Sequence, residues 1–425
     1  MKKILGIVLA LMLVFALFAG CAQETAETET TETEATEAPV EEEVMTEETT
    51  PAEATVIKFA AQADSTPATQ AVIDAYNASQ DMYTVEWIDM TNDSTAMREQ
   101  ILTSMQAGSS EYDVLSMDVV WAGEFAAAGY IEPIDQLMQT DGLKISQFNA
   151  GSMTAGNYNA KQYTLPFFPD LGLLYFRSDI VSAEDAAKLI SGDYTYADLQ
   201  AMAETYMGQG GTTDGIVLQA KLGECLVCNL TEYTNGWTDV EGGLVALKAM
   251  VDSAATPDDI LNYAEGETAN NFIKGVSVFS RNWPYQWGTI ASEGTITQDQ
   301  VDVAPLPGGS TVGGWLLGIN KNSVNQEGAW DFMKFVATEG QKIMSVQGGY
   351  LPGYTETLSD PDVIAANAML SMEGFQNALA TTISRPVSAR YSETSDTIMN
   401  TAHAYLSGET ELADAVEAIN AALAN

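Results

Sequence analysis

Between residues 54 and 118 the spacing of apolar positions switches repeatedly. The run ATVIKFAAQ reads as a strand, and PATQAVIDAYNASQ then carries Val72, Ile73 and Tyr76 at helical spacing. MYTVEWIDM alternates and predicts a second strand. STAMREQILTSMQAG predicts a helix, with Ser94 as N-cap and Gly108 as its stop. YDVLSMD is a third strand ending at Asp118, and VVWAGEFAAAGYIEPID is a helix with its exit turn. Strands alternating with helices over short links predict βαβ units, hence an α/β fold with mainly parallel sheet. Ligands on such sheets bind beyond the carboxyl ends of the strands, where Asp118 falls. Further on, two short apolar runs flank Pro-Phe-Phe-Pro-Asp in KQYTLPFFPDLGLLYFRSDIV. Helices are expected near 182–191, 196–207, 222–234 and 241–253. GVSVFS, QVDVAPLPGG and VGGWLLGINKNS predict strands, and NQEGAWDFMKFVATEGQKIM predicts one strong amphipathic helix. Helices near 366–380, 391–406 and 410–424 complete the chain.

The N-terminal segment does not follow these patterns. Lys2 and Lys3 precede an apolar stretch from Ile4 to Phe18, short for a spanning helix and suited to a signal peptide over residues 1–20. It ends LFAGCAQ, which resembles a bacterial lipoprotein cleavage site with Cys21 as the lipidated residue; Phe18 stands where Leu is usual. Residues 21–55 then hold twelve Glu with much Thr and Ala, and neither a basic nor an aromatic residue. Such a segment cannot bury enough apolar surface to order itself and reads as a tether, spanning about 30–35 Å as a flexible coil.

The remaining 370 or so residues (about two domains by length) are also acidic. The whole chain has 17 Lys and Arg against 59 Asp and Glu, a formal net charge of −42. That balance excludes nucleic acid and anionic lipid as partners and fits a neutral or cationic small molecule. A single His, His403, leaves no His-based triad or metal site, and no metal, cofactor or catalytic residue is expected. Cys225 and Cys228 lack a second ligand pair and read as buried thiols one helical turn apart.

The stretches LPFFPDLGLLYFRSDI, FSRNWPYQWG, APLPGG, GGWLLGINKNS with AWDFMKFV, and SRPVSARYSETS occur in that order. Together they resemble the extracellular solute-binding proteins of carbohydrate ABC transporters, in the trehalose/maltose-binding branch, over residues 56–425. The resemblance implies a two-lobe periplasmic-binding-protein (Venus-flytrap) fold, each lobe a mainly parallel sheet flanked by helices, with the cleft between them. It places the N-terminal lobe at 56–164 plus 309–350 and the C-terminal lobe at 165–308 plus 351–425. It also implies a monomer, lipid-anchored on the outer face of the cell membrane. Such a receptor captures an oligosaccharide of the trehalose, maltose or sucrose kind and delivers it to the permease subunits.

A sugar needs partners for its hydroxyls and flat apolar surface for its ring faces, so carboxylates, Arg and aromatics should converge. Trp283, Tyr285 and Trp287 alternate and would point the same way if the segment were extended. The resemblance makes Trp283 and Tyr285 sugar platforms, whereas Trp287 reads as core and Arg281 as a structural residue holding a loop. Trp315 matches a further stacking residue, and Gly313 before it permits close approach. Asp118 and Asp170 match carboxylates that accept sugar hydroxyls. Arg385 matches a sugar-contacting Arg, Arg98 is placed to reach the cleft, and Glu224 aligns with a family Glu. Two departures bear on ligand choice: Phe168 stands where close relatives carry Tyr, and the loop Asp64–Thr66 replaces a different polar set. Two rivals stay open. One is a binder of another solute, a peptide or polyamine; the other is a secreted glycoside hydrolase using Asp118 and Asp170 as an acid/base pair.

Overall fold

Parallel pairing is set at the start of the described residues, because helices return the chain to the same end of the sheet before each new strand. The structure, a computed structural model, describes residues 54–386 and 390–424. The proposed signal peptide, Cys21 and nearly all of the acidic tether lie outside the described residues. The strand Thr55–Gln62 pairs in parallel with Tyr83–Met90 on one side and with Val114–Asp118 on the other. Between them run the helices Ala68–Ser79 and Ser94–Gln106. The second of these is capped by Asp93, which accepts from the Ala96 amide, and not by Ser94, which is its first residue. Gly108 follows its C-terminus at φ +66°, as a stop residue should.

The chain then breaks the parallel order. Ser310–Ile319 enters this six-stranded sheet antiparallel to Val114–Asp118, and the edge strand Thr164–Leu171 runs antiparallel to Ser310–Ile319. Pro166 and Pro169 are tolerated there because only one side of that strand needs donors. Past Gly172 the chain turns into a second sheet of four strands, ordered Val301–Ala304, Leu173–Arg177, Ser277–Asn282 and Asp214–Val217. Of its three pairings only the last is parallel. The expectation of two mainly parallel sheets is therefore corrected for the second one. Strands that arrive from the first sheet or leave for it must run against their neighbours, which the local βαβ signal does not encode.

Each sheet is covered on both faces. Phe59, Phe167, Phe332 and Tyr76 meet edge-on or tilted under one face of the first sheet, and Met97, Ile101 and Phe125 pack on the other. The second sheet lies between a core that includes Leu226, Leu230 and Ile398 and one that includes Trp287, Phe272 and Phe375. Leu351 already belongs to the latter, so the chain passes to the second sheet's core directly after Tyr350, which packs with the first. The predicted long helix at 325–344 is two, Gln326–Ala337 and Gly340–Gly348, broken at Thr338 (φ −118°, ψ −90°). The segment near 366–380 is likewise split, with Glu373–Ala380 its helical end. Among the described residues no helix is long and apolar enough to cross a membrane.

Candidate functional site

Where the two sheets meet, Ser310–Ile319 serves as the spine of the site. Trp315 lies opposite Asp118 on one side and Phe168 on the other, and Gly313 lies opposite Asp170. The register shifts by one residue next to Trp315, a bulge of the kind that re-aims side chains beside functional sites. Trp121 meets the half-buried Trp315 edge-on, 5.5 Å between ring centres. Gly313 is required by close approach: a Cβ there would stand 2.8 Å from Cζ3 of Trp283. Gly314 has φ +108°, and a Cβ on it would reach 2.5 Å from the Phe168 carbonyl oxygen.

Trp283 comes from the other sheet. Ser277–Asn282 ends just before it, and Pro284 starts the helix Tyr285–Glu293 at φ −52°, ψ −29°. The segment is therefore not extended through Trp287, and the expected shared direction of Trp283, Tyr285 and Trp287 does not arise. Proline fits the first turn of a helix because no amide donor is needed there. Tyr285 Oη donates to the Glu265 carbonyl at 3.1 Å. Trp287 is 2% exposed and belongs to the core. The Arg281 guanidinium lies 4.2 Å from the centre of the Trp283 ring and pairs with the fully buried Glu232 through Nε (2.9 Å) and Nη2 (2.5 Å).

Arg385 joins the two sides. It donates to both Asp118 oxygens, Nη2 to Oδ1 at 2.5 Å and Nη1 to Oδ2 at 3.2 Å, and from Nη1 to Glu224 Oε1 at 2.8 Å. Glu224 is the first residue of the helix Glu224–Tyr233 and also accepts from Tyr391 and from Ser395 Oγ. Arg385 is 4% exposed, and its Nε has no acceptor among the described residues. Burial raises the Glu224 carboxyl above its ordinary range against the pull of Arg385. Asp170 has no ion-pair partner among the described residues. Burial pushes its carboxyl well up, Arg281 opposes this, and Asp118 adds to it.

Other candidates are held elsewhere. Asp64 accepts from Thr66 and Thr69, through amide and hydroxyl of each, and from Tyr350 Oη at 2.8 Å. These five donors tie its carboxylate to the start of the Ala68–Ser79 helix. Phe168 is 4% exposed and stacks on Tyr350 with ring centres 4.3 Å apart. Arg98 pairs with Glu124 at 2.5 Å, and Glu124 accepts at 2.6 Å from Ser392 Oγ on the helix Tyr391–Leu406, which also carries the Tyr391 and Ser395 donors to Glu224. Sequence reasoning missed Tyr350, Glu124 and Glu265. Tyr350 follows Gly348 and Gly349 much as Trp315 follows Gly313 and Gly314, which is a usable signal; the two Glu give none.

Asp170→Asn is expected to stabilise the ligand-free protein and weaken ligand binding together. A carboxyl raised on folding keeps a proton that the unfolded chain has lost. Stability then falls as pH rises from the ordinary carboxylate range through the folded value. Asp170, Glu224 and the likewise raised Glu265 all contribute in this direction. Thermal unfolding from pH 4 to 8 should show a flatter decline in the Asn variant. Ligand affinity should drop about ten- to a hundredfold, one charged hydrogen bond's worth.

Residues 62–343 match the family model described as bacterial extracellular solute-binding protein. A probable ABC transporter-binding protein of Deinococcus radiodurans is 25% identical over 373 residues, 80% of this chain and 86% of that one. A maltotriose-binding protein of Pyrococcus abyssi is 24% identical over 57% of this chain and 55% of its own length. The maltose-bound MalE3 of T. maritima superposes with a TM-score of 0.78 at 27% identity, covering 87% of this chain and 99% of that one. The fold is thus the two-lobe periplasmic-binding-protein fold, with the two sheets as the centres of its lobes.

Proposed function

Because the chain belongs to the bacterial extracellular solute-binding proteins, we propose that it is the sugar receptor of an ABC importer. It takes an oligosaccharide of the trehalose, maltose or sucrose kind outside the cell and passes it to the permease. The observation that carries this is the convergence of Trp283 and Trp315 with Asp118, Asp170 and Arg385 around Gly313. Flat rings beside fixed charged groups are what a pyranose requires. The maltose in MalE3 and the maltotriose named for the Pyrococcus protein support the same class. Contacts from both lobes make closure and binding one equilibrium, since a ligand that prefers the closed form draws the lobes together.

The hydrolase alternative is weakened by Arg385. Both oxygens of Asp118 accept from its guanidinium, so the carboxylate is already engaged by the protein's own side chain. A thermal-shift panel of oligosaccharides, peptides and polyamines tests the reading, because a ligand selective for the native state raises Tm. A shift by an oligosaccharide without release of monosaccharide supports it. A shift confined to peptides or amines, or sustained hydrolysis, overturns it.

The lipid anchor at Cys21 and the tether complete the proposal. Cys21→Ser should move the protein from the membrane pellet to the medium, read by blotting the two fractions. Retention in the pellet would refute the anchor.

A further inference from the structure

Three carboxylates lie at one end of the first sheet. Thr55–Gln62 and Val114–Asp118 run parallel, and Thr164–Leu171 shares their direction, since it and Val114–Asp118 are both antiparallel to Ser310–Ile319. Asp64, Asp118 and Asp170 therefore stand at or just past the carboxyl ends of three strands, the end at which such sheets hold ligands. Asp64 has no capacity left for one. Its Oδ1 accepts from the Thr66 amide and hydroxyl and from Tyr350 Oη, and its Oδ2 accepts from the Thr69 amide and hydroxyl. A carboxylate offers about four lone-pair sites, and these five donors already fill them. What Asp64 does at this end of the sheet is hold Tyr350.

Tyr350 is half-buried, and its ring stacks on the nearly covered Phe168. Phe168 and Asp170 are two residues apart on one strand, on the same side of it and about 7 Å from each other. The Tyr350 ring is thus the surface that a ligand at Asp170 meets next along the strand, with Phe168 beneath it. Tyr350 also borders the other lobe: a Cβ on Gly288, in the helix that follows Trp283 and Pro284, would stand 3.0 Å from the Gly348 carbonyl oxygen. Its proton is committed. Burial and the charges of Asp64 and Asp170 push the phenol well above its ordinary value, so the hydroxyl stays protonated, and it donates to Asp64 Oδ1 at 2.8 Å. A ligand therefore meets Tyr350 Oη as an acceptor.

We propose that Tyr350 is a specificity-determining residue of the cleft: its ring carries a sugar face beside Asp170, its Oη accepts from one sugar hydroxyl, and Asp64 acts by fixing the Tyr350 hydroxyl without touching the sugar. The proposal rests on the sugar-receptor reading and makes Asp64 a positioning residue.

The test is isothermal titration with maltose, trehalose and sucrose, followed by the monodeoxy forms of whichever binds most tightly. Tyr350→Phe keeps the stacked ring and loses Oη, so its affinity should fall about five- to tenfold, one hydrogen bond's worth. One monodeoxy sugar should bind the wild-type protein more weakly than its parent by a similar factor, yet bind Tyr350→Phe as tightly as the parent does, because the partner of the missing hydroxyl is gone. Asp64→Asn should weaken binding in the wild-type background, but by less than about twofold in the Tyr350→Phe background, where a residue acting through Oη has nothing left to act on. If Tyr350→Phe leaves affinity unchanged, or ranks the deoxy sugars as the wild-type protein does, the proposal fails and the sugar reading stands. An equal Asp64→Asn loss in both backgrounds makes Asp64 a contact in its own right and also overturns it; if that variant does not fold, the deoxy series decides alone. If none of the three sugars binds the wild-type protein, the sugar reading fails and this proposal with it.

Discussion

Trp283→Ala should reduce sugar affinity by about two to three orders of magnitude, the loss typical when a central aromatic anchor is truncated. The ring reaches the spine strand from the opposite sheet, over Gly313. Removing it takes away a platform and also opens the gap that a sugar ring would fill. The fold should survive. Trp283 is only half-buried, and its backbone is held independently of the ring: its amide donates to Asn282 Oδ1 at 2.9 Å, and its carbonyl accepts from Tyr175 Oη at 3.0 Å. The ligand-free Tm should therefore change by only a few degrees, while titration heat and the sugar-induced Tm shift disappear. Trp283→Phe should recover much of the affinity, since a flat face remains. Unaltered sugar binding by the Ala variant would remove Trp283 from the site.

The site was legible where it follows from strand ends and composition. Asp118 closes a strand that the short run YDVLSMD already marks. Trp315 and Gly313 sit in a Gly-Gly-Trp pattern whose only sensible use is close approach. Trp283 and Trp287 were separable in role, but on a wrong geometric premise, because Pro284 starts a helix where an extended run was expected. Asp64 and Arg98 show the limit on the other side. A loop carboxylate and a helix arginine are ambiguous until their partners are known, and those partners, Tyr350 and Glu124, are distant or inconspicuous in sequence. The fold shows the same division. Local periodicity found most helices and strands, yet missed Asp214–Val217 and Glu265–Ile273, which are short or polar. It also ran through Thr338, where tertiary packing breaks the helix: a Cβ on Gly340 would sit 2.6 Å from Val72 Cγ2. Strand direction in the second sheet depends on which segments cross between lobes, and no local pattern carries that.

Arg281→Met should destabilise the ligand-free protein by about 3–5 kcal/mol, the range for breaking a buried ion pair from one side. Glu232 has no exposure, and Arg281 supplies two of its donors; the third is the Thr311 amide at 3.3 Å. With the guanidinium gone, a full negative charge stays in the interior of one lobe, and lobe opening cannot rehydrate it. Arg385 differs in this respect. It ties Asp118 of one lobe to Glu224 of the other, so its loss can be relieved by opening, which costs less than unfolding. Urea unfolding at pH 7 measures the Arg281 effect as a lower midpoint at unchanged slope. The double variant Arg281→Met, Glu232→Gln should regain part of the loss, because the uncompensated charge leaves with the second substitution. Sugar affinity should fall in both variants, since the cation over Trp283 is gone from each. A loss below about 1 kcal/mol for Arg281→Met, the size of an exposed pair, would mean that water reaches Glu232 and that the pair does not organise the lobe beneath Trp283.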